Sequence, residues 1–283
     1  MATFTNRATL SYNGKTVDSN IVTGTINETL AISKTVLENS YDDTSRLTYV
    51  VSFVNSGVTP FTDVSVLDDL GGYLFDGNTV YPLTYVDGSA AYFVNGVLQP
   101  TPTVTAGPPL VITPVSVPAG GDAILIYQAD VTEYAPLDVD GVITNTATAT
   151  GGGIGAVVSA SATVGTSDEP NLAITKSLSP LVVAENGAIT YTFNIQNTGN
   201  TAAVATDNVV VTDTFDPIIS ITSVTLNGVL LAEGVDYTYN EATGEFSTVV
   251  GVITVDAATY AQNPDGTYEI LPGESTLVIN GTV

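Results

Sequence analysis

The most constraining feature of this chain is a two-part element that occurs twice, in two different contexts. In the middle of the chain, an alternating run over residues 143–150 is followed by glycines and by a second alternating run over residues 157–164. At the N-terminus the same order recurs, with residues 4–12, an Asn-Gly turn and residues 19–26. Alternation of apolar and small polar residues with a period of two predicts β-strands, so each copy is predicted to be a pair of strands.

The two copies differ in what surrounds them. The middle copy closes a repeat unit that begins near residue 27, whereas no unit precedes the N-terminal copy. A second unit begins near residue 166 and runs to Val283, where a closing element of its own is expected. We therefore expect the N-terminal element to complete a second unit, with residues 1–26 as donor and residues 166–283 as acceptor.

An internal repeat defines the two units. Leu30–Val36 matches Leu172–Leu178, and Val64–Leu70 matches Val209–Phe215. Short alternating runs separated by Asn-Gly, Asp-Gly and Gly-Gly turns predict an all-β chain, and each complete unit fits an immunoglobulin-like Greek-key β-sandwich. The predicted layout is a donor strand and connector over residues 1–26, a complete domain over residues 27–165 and an incomplete domain over residues 166–283.

Composition excludes several classes of function. The net charge of −24, with five basic residues, argues against nucleic acid or membranes as partners because both attract positive charge. The chain has no Cys and no His, which excludes disulfides, Ser-His-Asp catalysis and the usual zinc sites. No apolar run approaches the roughly 18 residues of a membrane span. Residues 1–30 lack the pattern of a signal peptide, which leaves open a recloned mature N-terminus or another export route.

A lysine recurs at one position of the repeat. Side chains alternate between the two faces of a strand, so Lys34 shares a face with Leu30 and Ile32. Lys176 occupies the same position in the second unit. The chain has only three lysines, so two of them at one inward-facing position indicate a specific role.

Two further polar residues are predicted to face each core. Asp68 and Asp213 share a repeat position on another strand, with Asp69 as the adjacent alternative to Asp68. Asn145 and Asn6 share a position on the closing element. The same alternation therefore predicts a lysine, an aspartate and an asparagine near each core.

These three residue types can form a Lys–Asn isopeptide bond. Burial lowers the pKa of a lysine, its neutral amine is a nucleophile, and a buried carboxylic acid can polarise an amide. Two other interpretations stay open: a non-covalent polar cluster that satisfies buried groups, and lysines exposed at strand ends. The predicted groups are Lys34, Asn145 and Asp68 within one chain, and Lys176, Asp213 and Asn6 of the next subunit across a junction.

An incomplete sandwich exposes an apolar groove and an unpaired strand edge, which is an association site. Donor-strand complementation fills such a groove with a strand of another chain, and one donor and one acceptor per subunit extend head to tail. The alternative is a return of the donor to its own chain, which is disfavoured because the connector after Ile26 leads directly into domain one. Tyr12–Ser19 is predicted to form the turn after the donor strand. The predicted inserted residues are Phe4, Asn6, Ala8 and Leu10.

Five segments carry a resemblance to a known family. They are Leu172–Lys176, Ile189–Tyr191, Asn197–Asn200, Val209–Asp213 and Thr144–Ala149. Together they resemble the bacterial surface-repeat family called domain of unknown function 11, over residues 27–165 in full and over residues 166–283 without the last strands. The resemblance implies an extracellular scaffold, and the position of the closing strand departs from it. The lysine, aspartate and asparagine are similar to the isopeptide arrangement of immunoglobulin-like domains in Gram-positive pilins and adhesins.

We therefore expect a structural subunit, not an enzyme, in a self-assembling extracellular filament at a bacterial cell or spore surface. It would be a pilus-like fibre or a spore appendage, with the protein itself as partner and no small-molecule ligand. The alternatives are an adhesin stalk or ligand-binding module and, third, a carboxylate-pair glycosidase, for which an aromatic cleft is missing. No cofactor is expected. Ca²⁺ at paired aspartates such as Asp42 and Asp43 is the alternative to solvated carboxylates.

Overall fold

The structure is a computed structural model that describes residues 2–26 and 30–283. In this part of the chain the regular structure consists of β-strands and one 3-10 helix, Ala205–Asp207. The predicted all-β class is confirmed, whereas the immunoglobulin-like Greek-key arrangement stays a prediction. The predicted start of the first domain, at residue 27, lies outside the described residues. Across the described ranges, no helix is long and apolar enough to cross a membrane.

The chain divides into two compact units. The first unit comprises the chain up to Pro136 together with Gly141–Gly165, and the second comprises Leu137–Asp140 together with Thr166–Val283. Each unit has its own sheets, and the N-terminal segment forms a further pair of small two-stranded sheets.

The N-terminal segment is a long β-hairpin, called the N-terminal hairpin below. β1 pairs with β4 and β2 pairs with β3, both antiparallel. Asn13 and Gly14 form the turn with φ angles of 47° and 73°, as a two-residue hairpin turn with two positive φ angles requires. The turn is shorter than the predicted Tyr12–Ser19 because residues 15–18 already return as a strand. The four strands are β1 (Ala2–Asn6), β2 (Thr9–Tyr12), β3 (Lys15–Asp18) and β4 (Val22–Ile26).

Apart from the N-terminal hairpin, the first unit contains fourteen strands in two main sheets and one small hairpin. They are β5 (Leu30–Val36), β6 (Ser40–Tyr41), β7 (Arg46–Asn55), β8 (Phe61–Asp68), β9 (Tyr73–Phe75), β10 (Asn78–Val80), β11 (Leu83–Tyr85), β12 (Ala91–Val94), β13 (Val97–Gln99), β14 (Thr103–Thr105), β15 (Leu110–Val117), β16 (Asp122–Val131), β17 (Val142–Gly151) and β18 (Val158–Thr166). One sheet has the order β13-β12-β16-β7-β5, with β11 also paired to β16. The other has the order β14-β15-β8-β17-β18-β6, and β9 pairs with β10.

Period-two alternation produces the core of the first unit. On β7, Leu47, Tyr49, Val51 and Phe53 are fully buried, while the residues between them are partly exposed. Burying a side chain of this size contributes about 1.5–3 kcal/mol relative to leaving it in water. A strand of ten residues with this pattern can therefore stand at the centre of a sheet.

The closing pair β17 and β18 contributes to this core from both of its strands. Ala147 and Ala149 on β17 are fully buried, and Ala162 and Val164 on β18 are 7% and 3% exposed. The intervening side chains face outward, where the hydroxyls of Thr144 and Thr163 lie 3.0 Å apart. Each closing strand thus has an apolar inner face and a hydroxyl-rich outer face.

The second unit contains ten strands in two sheets and a small hairpin. They are β19 (Leu172–Ser179), β20 (Ala188–Asn197), β21 (Thr212–Thr214), β22 (Ser220–Leu226), β23 (Val229–Leu230), β24 (Tyr237–Asn240), β25 (Glu245–Thr248), β26 (Thr259–Gln262), β27 (Tyr268–Leu271) and β28 (Gly273–Thr282). The larger sheet has the order β19-β20-β28-β22-β23, the smaller has the order β21-β25-β24, and β26 pairs with β27.

The smaller sheet of the second unit ends where its counterpart continues. In the first unit β8 lies between β15 and β17, and β18 and β6 follow. β21 holds the repeat position of β8, pairs with β25 on one side and is an edge strand of the described sheet. The second unit nevertheless has its own core, in which Phe193 on β20, Phe246 on β25 and Leu277 on β28 are buried. The unit is therefore packed inside and open at one edge.

Candidate functional site: a buried lysine cluster and an open strand edge

Lys34 lies inside the core of the first unit. β5 buries Leu30 and Lys34 on one face, and the Lys34 side chain is 0% exposed. Its Nζ lies 2.5 Å from Oδ2 of Asp68, the last residue of β8, whose side chain is 2% exposed. Two charges removed from water require such a partner, since an isolated buried charge is strongly destabilising. The structure therefore brings together the lysine and the aspartate that the sequence singled out.

Two tyrosines that the sequence reasoning missed complete the surroundings of this pair. The Tyr127 hydroxyl donates a hydrogen bond to Oδ2 of Asp68, and Lys34 Nζ lies 4.7 Å from the centre of the Tyr49 ring. The two tyrosines stand opposite each other on β16 and β7, with ring centres 5.6 Å apart. A tyrosine at an inward position of an alternating strand requires a partner for its hydroxyl, and that signal could have identified Tyr127.

Asn145 reaches the cluster from β17. It is fully buried, and its Nδ2 lies 3.4 Å from the Tyr127 hydroxyl. Among the described residues, neither Asn145 Oδ1 nor the Tyr49 hydroxyl has a hydrogen-bond partner. A buried polar atom without a partner costs about 1–3 kcal/mol, so such a group calls for an explanation. The core of the first unit therefore holds an amide whose carbonyl oxygen is unsatisfied.

Burial controls the titration of the cluster. Desolvation lowers the pKa of Lys34, and the charge and hydrogen bond of Asp68 offset that effect only in part. Desolvation also raises the pKa of Tyr127 and of Tyr49, while the nearby Asn145 amide acts in the opposite direction on both hydroxyls. The amide thus lies beside both tyrosines although its contact with Tyr49 is not a well-formed hydrogen bond. Burial therefore makes the Lys34 amine easier to deprotonate than a lysine in water.

Asp69, the alternative to Asp68, has a different role. Its Oδ1 accepts hydrogen bonds from the backbone N–H of Thr146 at 2.8 Å and of Gly71 at 2.9 Å. The Asp69 N–H in turn donates to the Thr146 carbonyl at 3.0 Å. Asp69 therefore ties the end of β8 to β17, and Asp68 is the acid that meets the lysine.

Lys176 and Asp213 repeat the ion pair in the second unit, with more exposure. Their side chains contact each other and are 40% and 16% exposed. Lys176 Nζ also lies 4.6 Å from the centre of the Tyr191 ring, in the position that Tyr49 holds in the first unit. In the first unit β17 runs along β8 and covers the pair, whereas β21 is an edge strand. The second pair therefore corresponds to the first without its covering strand.

The aromatic surroundings of the two pairs differ. Tyr49 stands opposite Tyr127 in the first unit, and Tyr191 stands opposite Ile279 in the second. An isoleucine cannot donate a hydrogen bond to Asp213. Instead Phe215 packs on Tyr191 with ring centres 4.9 Å apart. Among the described residues, the acid of the second unit therefore lacks the tyrosine donor that Asp68 has in the first unit.

The predicted donor residues lie in the N-terminal hairpin and are exposed. Asn6 stands opposite Val22, and Ala8 stands between β1 and β2, where its N–H bonds to the Ser19 hydroxyl at 2.9 Å. Phe4 and Leu10 are 54% and 64% exposed. Side chains of this size are usually buried, so the hairpin presents apolar surface without burying it.

The residues that the structure describes hold no cluster of three or more acidic side chains that could bind a metal ion. Ca²⁺ at the paired aspartates therefore stays a prediction without a site in this part of the chain. Asp42 Oδ1, for example, accepts hydrogen bonds from the Thr44 N–H at 3.0 Å and from the Ser45 hydroxyl at 2.7 Å. Its carboxylate organises a local turn.

Comparisons with known proteins give weak likenesses. No protein-family model and no curated protein matches the chain, so the resemblance to domain of unknown function 11 stays a prediction. The major pilin subunit BcpA of Bacillus cereus is similar at 11% identity and a TM-score of 0.37, over 96% of this chain and 73% of that chain. The pilus backbone of Streptococcus pneumoniae is similar at 11% identity and a TM-score of 0.34, over 86% of this chain and 50% of that chain.

A family 123 glycoside hydrolase from Clostridium perfringens is also similar, at 10% identity and a TM-score of 0.28, over 48% of this chain and 27% of that chain. The chain thus spans about half the length of the pneumococcal backbone and about a quarter of the hydrolase. Because all three TM-scores are below 0.5, none of these likenesses supports an assignment of function.

Proposed function

We propose that the protein is a structural subunit, and not an enzyme, of an extracellular bacterial filament at a cell or spore surface, such as a pilus-like fibre or a spore appendage. Its partner is a second copy of the same chain. Subunits join head to tail when the N-terminal segment of one copy completes the second unit of the next. Such a contact leaves one free donor and one free acceptor at the two ends of every oligomer, so it extends into a fibre.

The observation that carries this proposal is an open sheet edge with a matching strand in the same chain. The side of β8 that pairs with β17 in the first unit is unpaired at β21 in the second, and the N-terminal hairpin repeats the sequence pattern of β17. In the first unit Ala147 stands opposite Asp68. The repeat aligns Ala8 with Ala147 and Asp213 with Asp68. The donor is therefore proposed to pair antiparallel with β21, with Ala8 opposite Asp213.

This register places the exposed apolar residues of the donor inside the partner. Phe4 and Leu10 have the same parity as Ala8 along the chain, so they face the same side of an extended strand. Burial of each contributes about 1.5–3 kcal/mol, and the backbone ladder along β21 adds main-chain hydrogen bonds. The open edge and the apolar donor face, each unfavourable in an isolated chain, are thereby covered in one contact.

A covalent bond within the first unit is part of the proposal. The neutral Lys34 amine attacks Cγ of Asn145, a new C–N amide bond forms, and the Cγ–Nδ2 bond breaks. Asp68 passes the lysine proton to the departing nitrogen, which leaves as ammonia. The lowered pKa of Lys34 and the unsatisfied Asn145 carbonyl support this step, and the Tyr127 hydroxyl connects the acid to the amide.

The same reaction is proposed across subunits. Lys176 would attack Cγ of Asn6 of the next copy, with Asp213 as the proton carrier and ammonia as the leaving group. Insertion of the donor would also cover the Lys176–Asp213 pair, as β17 covers the Lys34–Asp68 pair in the first unit. Each junction would then be an amide bond as well as a strand ladder. The alternative is a non-covalent polar cluster, which measurements of covalent bonding distinguish from the amide bond.

The test compares two variants of one strand. Leu10→Asp places a charge on the apolar face of β2, and Ser11→Asp places the same charge on its hydroxyl face. Purified subunits are followed by sedimentation and electron microscopy at equal concentration. We expect fibres from wild type and Ser11→Asp, and monomers from Leu10→Asp. Fibres of normal length from Leu10→Asp would reject strand donation by this segment.

A further inference from the structure

We infer that the docking element is the whole N-terminal hairpin of a second copy, inserted with its outgoing strands β1 and β2 and its returning strands β3 and β4, and that the returning strands cover the exposed residues Leu181 and Val182 of the acceptor. The inference rests on the proposed function and deepens it, because it identifies a second interaction surface. A single inserted strand would leave that surface in water.

The N-terminal hairpin is amphipathic along its outgoing strands, β1 and β2, and along its returning strands, β3 and β4. Residues opposite each other in an antiparallel pair share a face, so Leu10 on β2 and Val17 on β3 lie side by side. The pair Asn6 and Val22 shares a face in the same way on β1 and β4. The returning strands β3 and β4 therefore carry exposed apolar residues of their own, and Val17 and Val22 are 53% and 55% exposed. The opposite face of each strand carries hydroxyls, for example Thr16 and Thr23.

The first unit shows what a hairpin of this pattern does when it is docked. β17 pairs with β8, and β18 pairs with β17 and places Ala162 and Val164 in the core. Ala162 stands opposite Asn145. Val22 stands opposite Asn6, which is the asparagine of the N-terminal copy. Val22 is thus the counterpart of Ala162, which is 7% exposed in the first unit, where the closing pair is docked.

The acceptor carries a matching exposed segment. In the first unit β18 pairs on its outer side with β6, Ser40–Tyr41, and buries Tyr41 to 1% exposure. The repeat places residues 182–183 at the position of β6, and there the described chain has no strand, although Val183 already packs against the core of its own unit. Leu181 and Val182 are 85% and 89% exposed. A returning strand, paired with a donor strand that is docked on β21, would supply the hydrogen-bond ladder and the cover that β18 supplies to β6.

Charge distinguishes this occupant from other parts of the chain. The N-terminal hairpin carries two basic residues, Arg7 and Lys15, against one acidic residue, Asp18. Residues 166–283 carry one basic residue, Lys176, against fourteen acidic ones. Opposite charge favours the encounter of the two surfaces. The hairpin of a second copy is therefore complementary to the acceptor in pattern, apolar surface and charge.

The first arm of the test charges the returning strand. Val22→Asp changes the apolar face of β4, and Thr23→Asp changes its hydroxyl face. We expect Val22→Asp to raise the concentration needed for fibre formation at least tenfold and Thr23→Asp to leave it within twofold. Circular dichroism and the thermal unfolding midpoint of each monomer report whether the two units still fold, since the hairpin is exposed in the single chain.

The second arm charges the acceptor. Leu181→Asp removes the exposed apolar surface, and Leu74→Asp makes the same change at a position of the first unit that is 77% exposed. We expect loss of assembly for Leu181→Asp and wild-type assembly for Leu74→Asp. If Val22→Asp and Leu181→Asp both assemble like wild type while Leu10→Asp does not, a single strand docks and the inference is wrong. If Leu10→Asp assembles as well, the proposed function itself fails.

Discussion

Lys34 and Lys176 show how one residue in one repeat position acquires two environments. Both contact an aspartate and the face of a tyrosine, but the side chain of Lys34 is 0% exposed and that of Lys176 is 40% exposed. The covering strand β17 brings Asn145 to the first lysine. The chemistry available to each lysine therefore depends on whether a closing strand is present.

The mass of the intact monomer reports whether Lys34 and Asn145 react. Isopeptide formation removes one ammonia, so we expect the first unit of wild type to be lighter than its sequence mass by that amount. Asn145→Ala should restore the full mass expected for its sequence. Asn55→Ala is the matched control, because Asn55 is also buried but its amide donates to the Thr59 carbonyl at 2.8 Å. A wild-type monomer at full sequence mass would leave only the non-covalent cluster.

A second prediction concerns pH in the variant that cannot react. In Asn145→Ala the amine stays free, and the pKa of Lys34 lies below its usual value of 10.5 because of burial. The unfolded chain then binds more protons than the folded one between the lowered pKa and 10.5, so the free energy of unfolding rises with pH across that window. Each unit of pKa difference contributes about 1.4 kcal/mol.

Urea unfolding of Asn145→Ala below pH 10 measures this slope, since the raised pKa values of Tyr49 and Tyr127 act only above the usual tyrosine value of 10.0. The control variant carries Lys34→Met in addition to Asn145→Ala, and its free energy of unfolding should no longer rise with pH. An equal slope in both variants would show that Lys34 does not titrate across this range.

At the scale of elements, the closing pair and the N-terminal hairpin follow the same design. Each has an apolar face, a hydroxyl face and an asparagine on the apolar side, and period-two alternation is enough to predict all three features. The Asn13-Gly14 turn is equally readable, because two successive positive φ angles favour these residues. The strand Lys15–Asp18 is harder to predict from the sequence, since a short polar run has no distinctive period.

The contacts among the site residues could not be predicted from the period-two alternation of the sequence alone. Alternation places Lys34, Asp68 and Asn145 on inward faces, but it does not say which strands of two opposed sheets stand across from each other. The bridge from Asp68 to Asn145 through Tyr127 depends on that pairing between sheets. The segment between β8 and β15 adds β9 to β14, a set of short strands whose pairing follows from tertiary contacts.

Replacing the turn glycine tests whether the N-terminal hairpin docks as a preformed unit. Gly14 has a φ of 73° and no atom near the position of an added Cβ. Gly14→Ala therefore strains the turn by about 1–2 kcal/mol without a clash, and we expect assembly to weaken about fivefold to thirtyfold in the sedimentation assay. Gly77→Ala is the control, with a φ of 81° and equally open surroundings in the β9–β10 turn. Equal assembly of both variants would contradict docking of a formed hairpin.

The molecule as a whole combines one exposed hairpin with one open sheet edge. Fibre growth follows if they meet between copies, and a closed monomer follows if they meet within one chain. The net charge of −24 makes copies of the chain repel each other at long range, which opposes non-specific aggregation. The central claim is therefore the specific antiparallel pairing of the donor around Ala8 with β21 of a second copy.

Disulfide trapping between β2 and β21 tests that claim most directly, because the chain contains no cysteine of its own. The proposed register sets Thr9 opposite Thr212, and directly opposed residues are close enough for a disulfide. The pair Thr9→Cys with Thr212→Cys is oxidised in a Lys176→Ala background, and Ser11→Cys with Thr212→Cys is the control shifted by two residues. We expect a ladder of multimers in denaturing gels from the first pair only. A disulfide confined to monomers, or no disulfide at all, would contradict head-to-tail strand exchange.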